Sequence, residues 1–274
     1  MSGMRLVDSH CHLYLPEVET DLPGVMARAA EAGIEAVVVP GIDLASSREA
    51  VELAEHWPGV YAAVGVHPHH AASWSATVRA ELRALAQSPR AIAVGETGLD
   101  FYRNLAPHAV QMESFRGQLD LAAECALPVI VHNRSASPEV YAELEAWMAR
   151  TGRRNGRPPG VLHAFSGDPQ SAQRAMALGF LLGVAGPVTY PKADDLRATL
   201  ASVPCEHLVI ETDAPYLTPA PHRGRRNEPA YVALVACGLA TALGLDAVEL
   251  ASRTSGNAAR LFGWTHDDTS RTLL

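Results

Sequence analysis

The chain has 274 residues, 48% of them hydrophobic and 19% charged, and 22 Lys and Arg against 30 Asp and Glu give a net charge of −8. That much apolar surface offsets the entropy of ordering the chain and excludes global disorder, while the negative balance excludes a polyanion binder acting through its whole-molecule field, so any contact with nucleic acid has to be local. The longest apolar stretches, such as 180–188, fall far short of the roughly 18 residues that cross a bilayer, and residues 1–7 hold no apolar core of a secretory signal, so a cytoplasmic protein with no membrane partner is expected.

In chain order, short runs rich in Val, Ile and Leu occur at 6–11, 34–39, 60–66, 91–95, 128–131, 161–164, 180–185 and 208–211, and each reads as a strand buried on both faces. Segments of helical period lie between most of them, for example 22–31, 46–56, 110–125 and 171–178, and two more, 229–243 and 246–261, follow the last strand. Asp168-Pro169 and Ser137-Pro138 read as capping side chains set before a Pro at the first helical position. Eight alternations within about 250 residues predict one α/β domain, a single (β/α)8 TIM barrel, over residues 1–264. The aperiodic residues 265–274 are expected to form a poorly ordered tail. Cys11, Cys125, Cys205 and Cys237 include no Cys-x-x-Cys pair, which argues against a disulfide framework and a zinc knuckle.

The twelve histidines are informative through their placement. Strand one ends in His10-Cys11-His12, strand three in His67-Pro68-His69, strand four in Glu96, strand five in His132, strand six in His163 and strand eight in Glu211-Thr212-Asp213. In a barrel these positions converge on the face where active sites are built. His10 and His12 stand two apart on extended backbone, so both rings point the same way. A nitrogen and oxygen donor set without thiolates suits zinc, manganese or magnesium at an open, catalytic site. An ordinary buried core is disfavoured, because so many imidazoles and carboxylates would be desolvated without compensation.

These motifs resemble the TatD-like metal-dependent deoxyribonucleases, within the metallo-dependent hydrolase superfamily, over roughly residues 5 to 263. The matching stretches are Val7-Asp8-Ser9-His10-Cys11-His12-Leu13, Gly65-Val66-His67-Pro68-His69 and Gly95-Glu96-Thr97-Gly98-Leu99-Asp100-Phe101-Tyr102. They continue with His132-Asn133-Arg134, His163-Ala164-Phe165-Ser166-Gly167, Glu211-Thr212-Asp213-Ala214-Pro215-Tyr216-Leu217 and Arg223-Gly224-Arg225-Arg226-Asn227-Glu228-Pro229. The resemblance implies two divalent ions (Mg2+, Mn2+ or Zn2+), the first held by His10, His12 and Asp213, the second by His132 and His163, with Glu96 bridging both. A carboxylate can span two ions about 3.5 to 4 Å apart, a pair that stabilises attacking and leaving oxygens together. Asp213, beside the expected attacking water, reads as the general base.

His67 reads as a substrate contact or, equally, as a structural histidine. Arg134 and Arg223 are bidentate donors suited to phosphate oxygens, with a structural salt bridge as the alternative. Glu211 is expected to orient ligands or Arg223 rather than bind metal. Tyr14 stands where the family commonly has Asp, which predicts the loss of an acceptor beside the first ion.

The implied activity is hydrolysis of DNA phosphodiesters, as a 3′-to-5′ exonuclease on single-stranded ends, with RNA as a further substrate and a monomer as the expected state. The alternatives are a hydrolase of small amides, esters or phosphotriesters and a non-catalytic nucleic-acid-binding barrel. Glu96 occupies the strand-four end where carboxylated-lysine amidohydrolases carry Lys, which disfavours that class. The basic loop Arg150, Arg153, Arg154 and Arg157 precedes strand six, so topology predicts it at the N-terminal face, away from the metals.

Overall fold

The short β-branched and alanine-rich runs fold into parallel strands, because each is covered by helices outside and by barrel residues inside. In the computed structural model, which describes residues 3–152 and 156–264, they are β1 (Leu6–Asp8), β2 (Ile34–Pro40), β3 (Val60–Val64), β4 (Ala91–Asp100), β5 (Val129–Arg134), β6 (Gly160–Leu162), β7 (Leu181–Val184) and β8 (Leu208–Ile210). Neighbours pair in parallel in sequence order from β1 to β8. Backbone bonds beyond the strands close the ring: Ser9 N to Ile210 O at 3.1 Å, and Asp213 N to His10 O and His12 N to Ala214 O, both at 2.8 Å. This is the expected (β/α)8 barrel. Arg153, Arg154 and the expected tail at 265–274 lie outside the described residues.

The outer ring comprises α1 (Pro16–Glu19), α2 (Leu22–Glu31), α3 (Leu44–His56), α4 (Ala76–Leu85), α5 (His108–Glu124), α6 (Ser137–Thr151), α7 (Pro169–Ala177), α8 (Asp194–Ala201), α9 (Val232–Leu243) and α10 (Ala247–Phe262). Asp168 caps α7, accepting from Ser171 N at 2.8 Å. Ser137 does not cap α6: the cap position is Ala136, and the Ser137 hydroxyl instead accepts from Asn133 Nδ2 at 3.0 Å. A strand-end side chain thus takes the oxygen that a free helix start would use. Among the described residues no single helix is long and apolar enough to cross a membrane.

Alternation of side chains along each strand separates two apolar layers. The outer one lies between strands and helices, while the inner one fills the barrel with Val7, Val38, Tyr61, Ile92, Ile130 and Val209 and continues into Leu261, Phe262 and Trp264. Trp264 stacks on Tyr61 with ring centroids 4.7 Å apart, so the end of α10 stoppers the N-terminal mouth. The C-terminal mouth is left as the open end of the barrel.

Two strands depart from expectation there. β1 ends at Asp8, and of residues 9–12 only Cys11, through its N, still reaches β2, at Val38 O (3.0 Å), while Ser9, His10 and His12 bond to the end of β8 and the residues after it. β4 runs on to Asp100 instead of stopping at Gly95. Val94 faces Val129 and Thr97 faces Val131, so three steps on β4 match two on β5. Such a bulge re-aims the residue inside it, which here is Glu96. Beyond it, Gly98 has φ +140, and a Cβ there would sit 2.0 Å from the His132 carbonyl oxygen, so only glycine lets β4 continue alongside β5.

Candidate active site

The strand ends deliver His12, His67, Glu96, His132, His163 and Asp213 into one cavity of about 490 Å³, with His10 buried beneath it. Glu96 divides the group. Its Oε2 lies 3.3 Å from His10 Nε2 and 3.8 Å from His12 Nε2. These two nitrogens are 3.3 Å apart, and Asp213 Oδ1 stands 3.7 and 3.6 Å from them. Its Oε1 faces a second set: His132 Nδ1 at 2.9 Å, His163 Nε2 at 3.3 Å and His67 Nε2 at 3.5 Å. Donors arranged tetrahedrally at 2.0–2.2 Å from an ion stand about 3.3–3.6 Å apart, so most of these spacings are those of ligand cages. The stacked His10 and His163 rings, 3.9 Å between centroids, join the two halves.

The far nitrogen of three imidazoles is taken by an acceptor. His12 Nδ1 is 3.0 Å from the Tyr14 hydroxyl, which itself donates to Pro40 O at 3.0 Å and so presents a lone pair to the ring. His163 Nδ1 is 3.2 Å from Glu211 Oε1, and His132 Nε2 is 3.2 Å from Asp100 Oδ2. Each near nitrogen is then a lone pair facing carboxylate oxygen, an arrangement that calls for a cation or protons between them. The donor set therefore fits divalent metal. His67 differs: its Nδ1 accepts from His69 N at 3.1 Å, which leaves the neutral ring with Nε2–H as a donor into the cavity.

Electrostatics follow the same division. Burial raises the cost of charging Glu96, but His163, His67 and His10 outweigh it and hold the carboxyl well below its ordinary range. Burial likewise opposes charging of His163, yet Glu96 and Glu211 push it up to about 10. Burial drives His67 well below its ordinary value, consistent with a neutral donor. Desolvation opposes charging of Asp213, but the adjacent His12, His163 and His10 keep its carboxyl below the ordinary value, so it is ionised at neutral pH.

Tyr14 supplies the acceptor that its substitution for Asp seemed to remove. Glu211 faces His163 and not Arg223: besides His163 Nδ1 it meets Ala164 N at 2.5 Å and the Ser9 hydroxyl at 3.2 Å, accepting from both. A Cβ at Gly183 would meet its Oε2 at 2.5 Å, so glycine there makes room for the carboxylate. Arg134 lines the cavity, with its guanidinium 4.2 Å from the centre of the Tyr102 ring. Arg223 does not line the cavity; it lies over Tyr190 at 4.3 Å, and Thr218 links that ring's hydroxyl to the Arg223 loop by accepting from it and donating to Arg225 O.

Sequence reasoning left three residues unassigned. Asp100 Oδ2 holds both His132 and, at 2.8 Å, His69 Nε2. Asp8 accepts from Thr212 N at 2.8 Å and its hydroxyl at 2.5 Å, with burial pushing its carboxyl up to about 8, and so binds the ends of β1 and β8 together. Asp100 stands four residues after Glu96 on β4, the even spacing that shares a face on extended chain, and that spacing could have found it. His69 lies in the 3-10 turn Pro68–Ser73, where strand spacing carries no signal.

A profile of the TatD related DNase family matches residues 7–263. The chain belongs to this family. It is 38% identical over 257 residues to an uncharacterized metal-dependent hydrolase, YabD, of Bacillus subtilis, covering 94% of this chain and 98% of the relative. It is 36% identical over 263 residues to the 3′-5′ ssDNA/RNA exonuclease TatD of Klebsiella pneumoniae, again covering 94% and 98%. The crystal structure of YJJV, a TatD homologue from Escherichia coli, superposes with a TM-score of 0.88 at 32% identity over 96% of this chain and 99% of that one. As a TatD family member the protein is a metal-dependent hydrolase.

Proposed function

We propose that the protein is a 3′-to-5′ exonuclease that removes nucleotides from single-stranded DNA ends, with RNA as a second substrate, as a monomer in the cytoplasm. The observation that carries the reading is Glu96, whose two oxygens face separate histidine sets. His10, His12 and Asp213 would hold one divalent ion, His132 and His163 a second, and Glu96 would bridge them. When bound, such a pair supplies Lewis acidity at the phosphoryl group and stabilises both oxygens of an in-line displacement.

The protein's own side chains do the rest. Asp213 takes the proton of the attacking water, for which an ionised carboxylate at the cavity wall is suited. His67 Nε2–H donates to a non-bridging phosphate oxygen, and Arg134, which makes no salt bridge to a described carboxylate, presents its guanidinium to the next phosphate. Arg223 is left as an outer contact to a longer strand. The relatives named as single-strand DNA and RNA exonucleases support this substrate class.

The test is to strip the protein with chelator, restore Mg2+, Mn2+ or Zn2+ singly, and follow single-stranded DNA, RNA and duplex labelled at either end. Metal-restored shortening from the 3′ end supports the proposal. Metal-restored cleavage of a chromogenic ester with all three nucleic acids untouched overturns it.

A further inference from the structure

Among the described residues, the large hydrophobic side chains left well exposed are Leu105 at 66%, Tyr102 at 65%, Tyr216 at 54% and Val248 at 47%. Val248 stands in the first turn of α10, but the other three gather at the catalytic mouth. Leu105 and Tyr216 line the cavity, and Tyr102 is joined to it through Arg134. Singly exposed apolar residues need no explanation, whereas a cluster around one polar cavity marks a binding surface.

Their placement has a geometry. β4 and β8 are four strands apart in a ring of eight, so chain leaving their ends forms opposite walls of the mouth. Tyr102 and Leu105 follow β4, and Tyr216 follows β8. Both tyrosines are anchored by backbone. Asp100 Oδ1 accepts from Tyr102 N at 3.0 Å and Arg103 N at 2.7 Å. Tyr216 N donates to Asp213 O at 2.8 Å, and its carbonyl accepts from Asn227 Nδ2 at 2.6 Å. Each anchor begins at a carboxylate residue of the cavity, so the backbone that carries each ring is tied to the cavity floor.

We infer that Tyr102, backed by Arg134, and Tyr216 form a two-walled stacking clamp for the unpaired bases of the terminal nucleotides, and that this clamp makes the site select single-stranded ends. The inference rests on the exonuclease reading above. Flat rings separated by a floor of imidazoles and carboxylates do not make a continuous apolar patch for a protein or lipid, but they match a chain that alternates aromatic bases with phosphates. A duplex end would have to unpair before its bases could reach opposite walls.

The decisive comparison uses a single-stranded oligonucleotide and the same oligonucleotide with abasic residues at its last two 3′ positions. The ratio of kcat/KM on the base-bearing end to that on the abasic end is expected to be about tenfold or more in the wild type. Tyr102→Ala and Tyr216→Ala should each cut that ratio severalfold, and Tyr102→Phe and Tyr216→Phe should retain it. Quenching of a terminal 2-aminopurine on binding should weaken in the Ala variants and persist in the Phe variants. Equal losses on base-bearing and abasic ends, or unchanged quenching, would overturn the clamp while leaving the exonuclease intact. Wild-type protein that hydrolyses a simple phosphodiester but shortens neither oligonucleotide would overturn the exonuclease reading, and the clamp with it.

Discussion

Glu96 Oε1 and Oε2 look in different directions because the β4 bulge sets the carboxylate between two groups of imidazoles. Glu96→Gln replaces one oxygen with an NH2, a donor that cannot ligate, so hydrolysis should fall on the order of a hundredfold or more. Bound metal should drop below two equivalents, measured by elemental analysis, with circular dichroism unchanged; full metal content and full turnover would refute the bridge. Tyr14→Phe tests the support beneath His12. It leaves a buried ring N–H without its acceptor, and should weaken the first metal site about 10- to 100-fold in a titration of the apoprotein. An unaltered isotherm would show that Tyr14 does not orient the ligand. The side chains that gather around Glu96 were legible because strand ends are recognisable and His-x-His sets a shared direction. The Tyr14 hydrogen bond was not, since its polarity depends on the Pro40 carbonyl, contributed by a different strand.

Strands and helices announced themselves by period and by punctuation, and the eightfold alternation survived intact. What the sequence could not reveal was how the strand ends bend. The bulge in β4 and the bonding of residues 9–12 to both β2 and the end of β8 arise from tertiary pairing, and both lie where the cavity histidines and Glu96 are aimed. The loop from β2 shows how an element end is secured. Asp43 accepts from Ser46 N at 2.8 Å while the Ser46 hydroxyl receives Asp43 N at 3.0 Å, a reciprocal cap on α3. Asp43→Ala should cost about 1 kcal/mol of stability at pH 7, measured by urea unfolding. Burial pushes the Asp43 carboxyl up, but the Ser46 bonds outweigh it and the folded value lies below the ordinary one. The charge-dependent part of the cap is therefore fully present above the unfolded value of about 4 and lost as pH falls through the folded value, so the gap between wild type and variant should narrow on acidification. A gap that widens on acidification would contradict the cap.

At the scale of the molecule, the barrel separates two ends, and the charge count alone would mislead about which of them meets nucleic acid. The net charge of −8 leaves few basic clusters, and the one before β6 is the densest outside the Arg223 segment. Where it is described, that loop occupies the stoppered end. Arg157 packs against Gly263, just before Trp264, and shares a surface cavity with Glu206, His207 and Arg260. Arg150 is spent on Asp120 of α5, at 2.9 Å. From this end β6 runs through Leu162 to deliver His163 at the opposite mouth, so neither arginine can touch a phosphate held there. Replacing Arg150 and Arg157 together with Ser should leave kcat/KM on a short oligonucleotide within about twofold of wild type. Only long strands at low salt should bind less well, because exposed charges act at a distance only while screening is weak. A severe loss on the short substrate, with metal content and Tm preserved, would mean that nucleic acid wraps the stoppered end and that productive binding is not confined to the metal-bearing mouth.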